Sequence, residues 1–382
     1  MQRNIGLTLA TALMMFPQIV ETIYSPALPK IAQGFSVTAE QAAQTLSLYF
    51  LAFALGVVVW GRMCDRIGRR PAMLVGLLVY GVASVAALLS HQFEMLLAAR
   101  MLAAFGAAVG SVGTQTMLRD TFAGAELAKV FSVMGIALAI SPAIGMMTGS
   151  ALSSQFGHQG VFTGLALLAF VLFGWSAVTL PETRPRHVLT MPLLKTLIMM
   201  LRDLAIWRTA ILVALFNLGL FGYYQLAPFE FERLGLSTEA FGYSGLALAF
   251  GVVLGSILNK RLLRRGWSSE RLVTLASLLT LAGSVLVAAS ITSWLFILPM
   301  MLVVLAYGVA IPNILATALT AYGDRAGTAG ALLGLLYYLM LGGGLVLAAW
   351  SQALGLVLVC CGVVAVPLAI ASHHQALAAS ED

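Results

Sequence analysis

Gly61-Arg62-Met63-Cys64-Asp65-Arg66-Ile67-Gly68-Arg69-Arg70 puts five charged side chains into ten residues. On both sides the chain is nearly charge-free, over 42–61 and 73–91. Each of these runs approaches the ~20 residues that a helix needs to cross a bilayer. A short charged knot between two such runs reads as the turn between two membrane-spanning helices.

The pattern recurs along the whole chain. Hydrophobic residues make up 60% of the 382 positions and charged residues 9%, against roughly 25% charged in soluble domains. A water-soluble fold this apolar has too little polar surface to cover itself, whereas positions facing lipid must be apolar. Spans are predicted at 5–26, 42–61, 73–91, 95–118, 128–151, 160–180, 207–229, 240–260, 271–290, 294–316, 327–350 and 353–372. The first run continues to Tyr24 with no clear small-residue cleavage site, so it reads as a retained span and not as a leader. The expected class is an all-α polytopic membrane protein of twelve helices.

The net charge of +6 does not point to nucleic acid, because the basic residues form no single patch. They fall in short runs between apolar segments, which is a topology signal. With the N-terminus inside, eighteen of the 21 Lys and Arg lie in cytoplasmic loops or at cytoplasmic helix ends. Lys30 and Arg233 fall outside, and Arg100 lies within a span. Both termini are then expected in the cytoplasm. Cys64, Cys360 and Cys361 have no metal-ligand spacing. Neither a metal nor a cofactor is expected.

The most hydrophilic stretch of the middle is 181–206, with Glu182, Arg184, Arg186, His187, Lys195, Arg202 and Asp203. It divides the chain into a six-span bundle over 1–180, a cytoplasmic linker over 181–206 and a second bundle over 207–382. Met191 to Leu201 is apolar on part of its circumference, which suits a helix lying along the interface. The halves look related. Gly61-x-x-x-Asp65-Arg66 and Gly255-x-x-x-Asn259-Lys260 hold the same place in each set of six, and Pro26 is matched by Pro228. Same-orientation halves imply a parallel repeat, with a substrate path expected between them near the midplane.

In the charged knot, Gly61 allows close helix approach and Gly68 a tight turn. Asp65 is an acceptor for helix-terminal N–H groups or an arginine. Arg66, Arg69 and Arg70 sit at headgroup level. The segment is either a plain topogenic turn or a charge latch that holds one conformer of an alternating-access cycle. It resembles the cytoplasmic loop signature of the major facilitator superfamily, Gly-x-x-x-Asp-basic-x-Gly-basic-basic, at every fixed position. Tyr24-Ser25-Pro26-Ala27-Leu28-Pro29, Leu118-Arg119-Asp120, Leu180-Pro181-Glu182-Thr183, Asn259 with Arg261, Gly308, Pro312-Asn313 and Ala326-Gly327-Thr328-Ala329 are similar to segments of its Bcr/CflA drug-resistance transporters. The resemblance implies two pseudo-symmetric six-helix bundles and a drug:proton antiporter.

Some positions depart from that pattern. Arg100-Met101-Leu102-Ala103-Ala104 keeps the arginine of the fourth span without the glutamine and glycine common in the group. Ser141-Pro142-Ala143-Ile144-Gly145-Met146 keeps the proline and one glycine of the fifth, so Pro142 and Gly145, with Pro26, are the expected helix-bend positions. Thr22 stands where many relatives have an aspartate, and Glu21 precedes it, a 100° turn of the helix away.

Glu21 and Arg100 are the candidate proton-coupling pair. A charge at mid-bilayer costs about 2.5–3.5 kcal/mol on insertion scales, so it is rarely idle. A buried carboxyl that takes a proton on one side and releases it on the other is the simplest coupling device. Two plainer readings stand beside this one: Glu21 as a structural carboxyl paired with Arg100 or capped by Tyr24, and Arg100 as a snorkelling residue near His91 and Glu94. Tyr24, Gln115, Asn217, Tyr224, Gln225 and Asn313 are the candidate cavity-lining residues. Glu230 and Glu232 sit at an expected outer mouth. His91, His158, His187, His373 and His374 lie at loops or span ends, which argues against a membrane-embedded enzyme.

The expected function is therefore secondary active transport by alternating access. The chain would export small amphipathic or weakly basic compounds, such as antibiotics, in exchange for protons. The rival is a same-fold transporter of a natural metabolite such as a siderophore, nucleoside or sugar. The expected setting is the bacterial inner membrane, as a monomer, with a small-molecule substrate, protons and lipid as partners and no nucleic acid.

Overall fold

The computed structural model describes residues 5–185 and 193–381. Arg186, His187 and Met191 lie outside the described residues. All regular structure among the described residues is helical. The chain divides into two compact units, Met1–Pro192 and Leu193–Asp382.

The first unit opens with α1 (Leu7–Thr22). Its helical path tightens to a 3₁₀ turn at Ser25–Ala27, where Pro26 has no N–H to continue the ladder, and resumes as the short helix Leu28–Gly34. A reciprocal capping box between Thr38 and Gln41 starts α2 (Ala39–Ile67). One residue, Gly68, separates it from α3 (Arg69–Leu88), and α4 (Phe93–Thr121) follows. The next run, Gly124–Thr179, has 56 residues. As one straight helix it would measure about 84 Å, far more than the ~30 Å hydrocarbon layer. Gly157 breaks it with φ 65° and ψ −162°, giving two legs, α5 (124–156) and α6 (158–179).

In the second unit a short helix, Leu193–Leu201, precedes α7 (Leu204–Arg233), α8 (Thr238–Arg264), α9 (Ser269–Ser290), α10 (Ile297–Thr317), α11 (Ala326–Ser351) and α12 (Leu354–Glu381). Asp203, Ser237 and Ser268 cap α7, α8 and α9 through side-chain oxygens. Among the described residues, eleven helical stretches are long and apolar enough to cross a membrane. The break at Gly157 makes twelve crossing legs of them.

The two units share one pairing scheme. First packs on fourth and fifth (α1 on α4 and α5; α7 on α10 and α11), second on fourth (α2–α4; α8–α10), and third on fourth and sixth (α3 on α4 and α6; α9 on α10 and α12). Glycines set the close approaches. A Cβ on Gly56 would lie 2.7 Å from the Phe105 carbonyl, and one on Gly251 would lie 2.9 Å from the Met301 carbonyl. Gly145 and Gly149 seat α5 directly on the backbone of α1. The outward faces are apolar, as with Leu78, Val82, Phe170 and Leu347, all exposed. That pattern suits a lipid solvent.

Candidate functional site

Three polar centres stand out inside this apolar scaffold. The first lies within the N-terminal unit. Arg100, on the second turn of α4, is 1% exposed, so it does not snorkel. Its guanidinium carbon sits 3.9 Å from the ring centre of Tyr24 and 4.7 Å from that of Tyr49. Both rings are fully buried. Cation–π contacts of this kind are worth about 2 kcal/mol or more when desolvated. Tyr24 comes from the end of the α1 segment and Tyr49 from α2, so three helices converge on one charge. Tyr80 of α3 is buried nearby, its ring edge-on to Phe16 at 4.7 Å.

Glu21 is buried in the same interior, and its charge interacts with that of Arg100. Among the described residues no N···O contact within 4.0 Å joins them. The direct Glu21–Arg100 ion pair is thus not formed. The arginine is held by aromatic faces, and Nε and Nη2 have no hydrogen-bond partner among the described residues. The hydroxyls of Tyr24, Tyr49 and Tyr80 are buried without one as well. The centre therefore places unpartnered N–H and O–H groups in the same interior as a buried carboxyl. Tyr80 had no sequence signal, because aromatic residues in spans are usually packing or interfacial groups.

The second centre is the α2–α3 junction. Arg69 is 3% exposed. Its Nε donates to Asp120 Oδ2 at 2.7 Å, its Nη1 donates to the Cys64 carbonyl at 3.0 Å, and Nη1 lies 3.3 Å from Asp65 Oδ1. Thr183 donates to the same Asp120 oxygen at 3.3 Å. Gly68 adopts φ 107°, a conformation that favours glycine. An added Cβ there would strike the Glu182 carboxylate. Glu182 caps α3: Oε1 accepts from Arg69 N at 2.9 Å and Oε2 from Arg70 N at 3.2 Å. Arg70 Nη2 donates to the Ala177 carbonyl at 2.8 Å, and Arg184 Nη1 to the Arg66 carbonyl at 2.9 Å.

Of the sequence-derived latch residues, the structure brings together Asp65, Gly68, Arg69 and Arg70. Arg66 enters these contacts through its carbonyl, and Gly61 packs toward Val112. Asp120, Glu182, Thr183 and Arg184 complete the cluster. The segments of Asp120, Glu182 and Thr183 carried a family resemblance, but no spacing in the chain links the four to residue 69.

The third centre is in the C-terminal unit. Asn313 Nδ2 donates to Asn259 Oδ1 and to the Val309 carbonyl, both at 2.7 Å. Both asparagines are buried. Asn313 also edges a small cavity of about 170 Å³ with Arg208, Ser269 and Glu270. The remaining candidate cavity residues are dispersed. Gln115 donates to Ser111 on its own helix at 3.4 Å. Asn217 donates to the Val213 carbonyl and accepts from Tyr307 at 3.3 Å. Tyr224 and Gln225 are buried in α7, with Tyr224 against the rings of Phe221 and Tyr223. Of the bend residues, Pro26 lies in the 3₁₀ turn, while Pro142 lies inside continuous helix and Gly145 at the α1 contact.

Twelve membrane-crossing legs among the described residues, in two units of like pairing, form the architecture of a multi-pass membrane protein. Residues 7–345 match the Major Facilitator Superfamily, and the chain belongs to that family. It is 31% identical over 339 residues to an uncharacterized transporter of Rickettsia bellii, covering 85% of this chain and 84% of that one. It is 29% identical to a chloramphenicol resistance protein of Pseudomonas aeruginosa (87% and 81% covered). It is 27% identical to multidrug resistance protein D of Escherichia coli (98% of each). Family and relatives make it a transporter of small molecules and not an enzyme. The drug-resistance names agree with the branch that the motifs resemble.

Proposed function

We propose that this chain exports small amphipathic or weakly basic compounds, antibiotics among them, in exchange for protons. The observation that carries the reading is the buried Glu21 beside an arginine held by tyrosine faces. A carboxylate without a contact ion pair in an apolar interior is relieved by taking a proton. Arg100, held against the rings of Tyr24 and Tyr49, then biases that proton's binding through space. Drug-resistance relatives support the substrate class.

In this reading the six-helix bundles over 1–180 and 207–382 rock around a midplane site, with 181–206 as the cytoplasmic linker. The α2–α3 cluster holds the N-terminal bundle rigid and latches one conformer. Gln115, Asn217, Tyr224, Gln225 and Asn313 face the substrate path in part of the cycle, and Pro26, Pro142 and Gly145 shape the helices beside it. The protein works as a monomer in the bacterial inner membrane with both termini in the cytoplasm.

The test is transport in proteoliposomes under an imposed pH gradient, with a lipophilic cationic dye and proton flux as readouts. Wild type is expected to move dye against its gradient, and Glu21→Gln only to equilibrate it. Dye pumping by Glu21→Gln at the wild-type rate would remove Glu21 from the mechanism. A wild type that ignores the pH gradient for a panel of dyes and antibiotics would overturn the proton-coupled drug reading.

A further inference from the structure

The short helix Leu193–Leu201 has two unlike faces that the transport cycle above does not use. Leu193, Thr196, Leu197 and Met200, spaced i, i+3, i+4, i+7, form the inner face. Thr196 and Met200 are fully buried, and Leu193 and Leu197 pack on the cluster that includes Ile206 of α7 and Leu332, Leu333 and Leu336 of α11. Beside that face runs a stripe of Leu194, Ile198 and Leu201, all exposed, with Leu194 at 67%. Leu204, at 78%, extends it to the start of α7. Lys195 and Arg202 are exposed as well. At 100° per residue they project about a quarter turn from the stripe, on the side away from the buried face.

Depth is set by the neighbouring span. The membrane-crossing α7 begins at Leu204, three residues beyond Leu201. Three residues reach at most about 11 Å, so the helix is confined to the membrane surface at that end of α7. It is fastened there. Trp207 Nε1 donates to the Leu201 carbonyl at 2.8 Å, Tyr322 donates to Asp203 Oδ2 at 3.0 Å, and Arg325 Nη1 meets Met199 Sδ at 3.4 Å. A fixed helix with one face on protein, an exposed apolar stripe and a basic flank at headgroup level matches one occupant by shape, depth and charge.

We infer that Leu193–Leu201 is a docking surface for anionic phospholipid. Leu194, Ile198, Leu201 and Leu204 insert among the acyl chains, and Lys195 and Arg202 bind the phosphate headgroups. This inference rests on membrane residence and is independent of the transported substrate.

The full-length protein with Cys360→Ala and a spin label on Ile198→Cys is placed in nanodiscs of phosphatidylcholine, with and without phosphatidylglycerol. The label is expected to be accessible to oxygen and shielded from a water-soluble nickel chelate, and to move deeper when phosphatidylglycerol is present. Lys195→Gln with Arg202→Gln should abolish the lipid-dependent shift. By native mass spectrometry the double variant should lose preference for phosphatidylglycerol over phosphatidylcholine by about fivefold per charge removed. A label open to the nickel chelate, equal depth in both lipids, or unchanged lipid preference in the double variant would each overturn the proposal.

Discussion

Polar side chains join the second and fourth helices in both units, by ion pairs in one and by a neutral amide pair in the other. In the N-terminal unit Asp65 of α2 and Asp120 of α4 are joined through Arg69. In the C-terminal unit Asn259 of α8 and Asn313 of α10 are joined directly at 2.7 Å. Asp65 and Asn259 stand four residues after Gly61 and Gly255, and Leu263 occupies the spacing that Arg69 holds after Asp65. One architecture thus tolerates two chemistries. A buried cation must keep its anions, because the desolvation penalty of each charge is met only by the other. An amide pair owes little to its surroundings, since each partner is neutral and satisfies the other. The charged junction is therefore the more fragile of the two when a single member is removed.

Substitutions test that contrast, most sharply at Arg69. Arg69→Met strands Asp120 and Asp65 and is expected to destabilise the protein by about 3–5 kcal/mol. This would be read as a large fall in the thermal unfolding midpoint of the purified protein. Converting the site to the C-terminal chemistry, Asp65→Asn with Asp120→Asn and Arg69→Leu, should recover most of that loss. If Arg69→Met is as mild as the asparagine changes below, the contrast fails. Gly68→Ala comes next, at about 1–3 kcal/mol for a side chain forced into positive φ, with the Glu182 cap displaced as well. Hydrogen exchange at the Arg69 and Arg70 amides would report that loss.

Glu182→Ala removes the cap and should cost about 1 kcal/mol, with faster exchange confined to the first turn of α3. The smallest effects belong to the C-terminal unit. Asn313→Leu alone should cost about 0.5–1.5 kcal/mol, while Asn259→Leu with Asn313→Leu should lie close to wild type. A double-mutant cycle on the unfolding midpoints checks this, and a double variant worse than the sum of the singles would break the comparison.

How much of this was legible in the chain differs from element to element. The apolar runs around Gly61–Arg70 announce the crossing helices, because hydrocarbon leaves the backbone no alternative to internal hydrogen bonding. Over Gly124–Thr179 the sequence predicted two spans, 128–151 and 160–180. The break itself fell on Gly157, where glycine accepts a positive φ. Asn313 was placed with the cavity residues, since a polar group in a span suggests a ligand. Its partner proved to be Asn259, 54 residues away. Arg100 raised two readings, a coupling charge or a snorkelling one, and its burial under Tyr24 and Tyr49 removes the second.

By itself the sequence determined the solvent, the helical class, the twofold repeat and the family, because each rests on composition, period or local motif. The tertiary structure alone decided which partners the buried charges take. It put Arg100 on two tyrosine faces away from direct contact with Glu21, gave Arg69 to Asp120, and set Glu182 on the start of α3. These pairings join residues 51 to 113 positions apart, or residues on different helices. No periodicity encodes them. They follow from which helix faces meet when glycines let the backbones close.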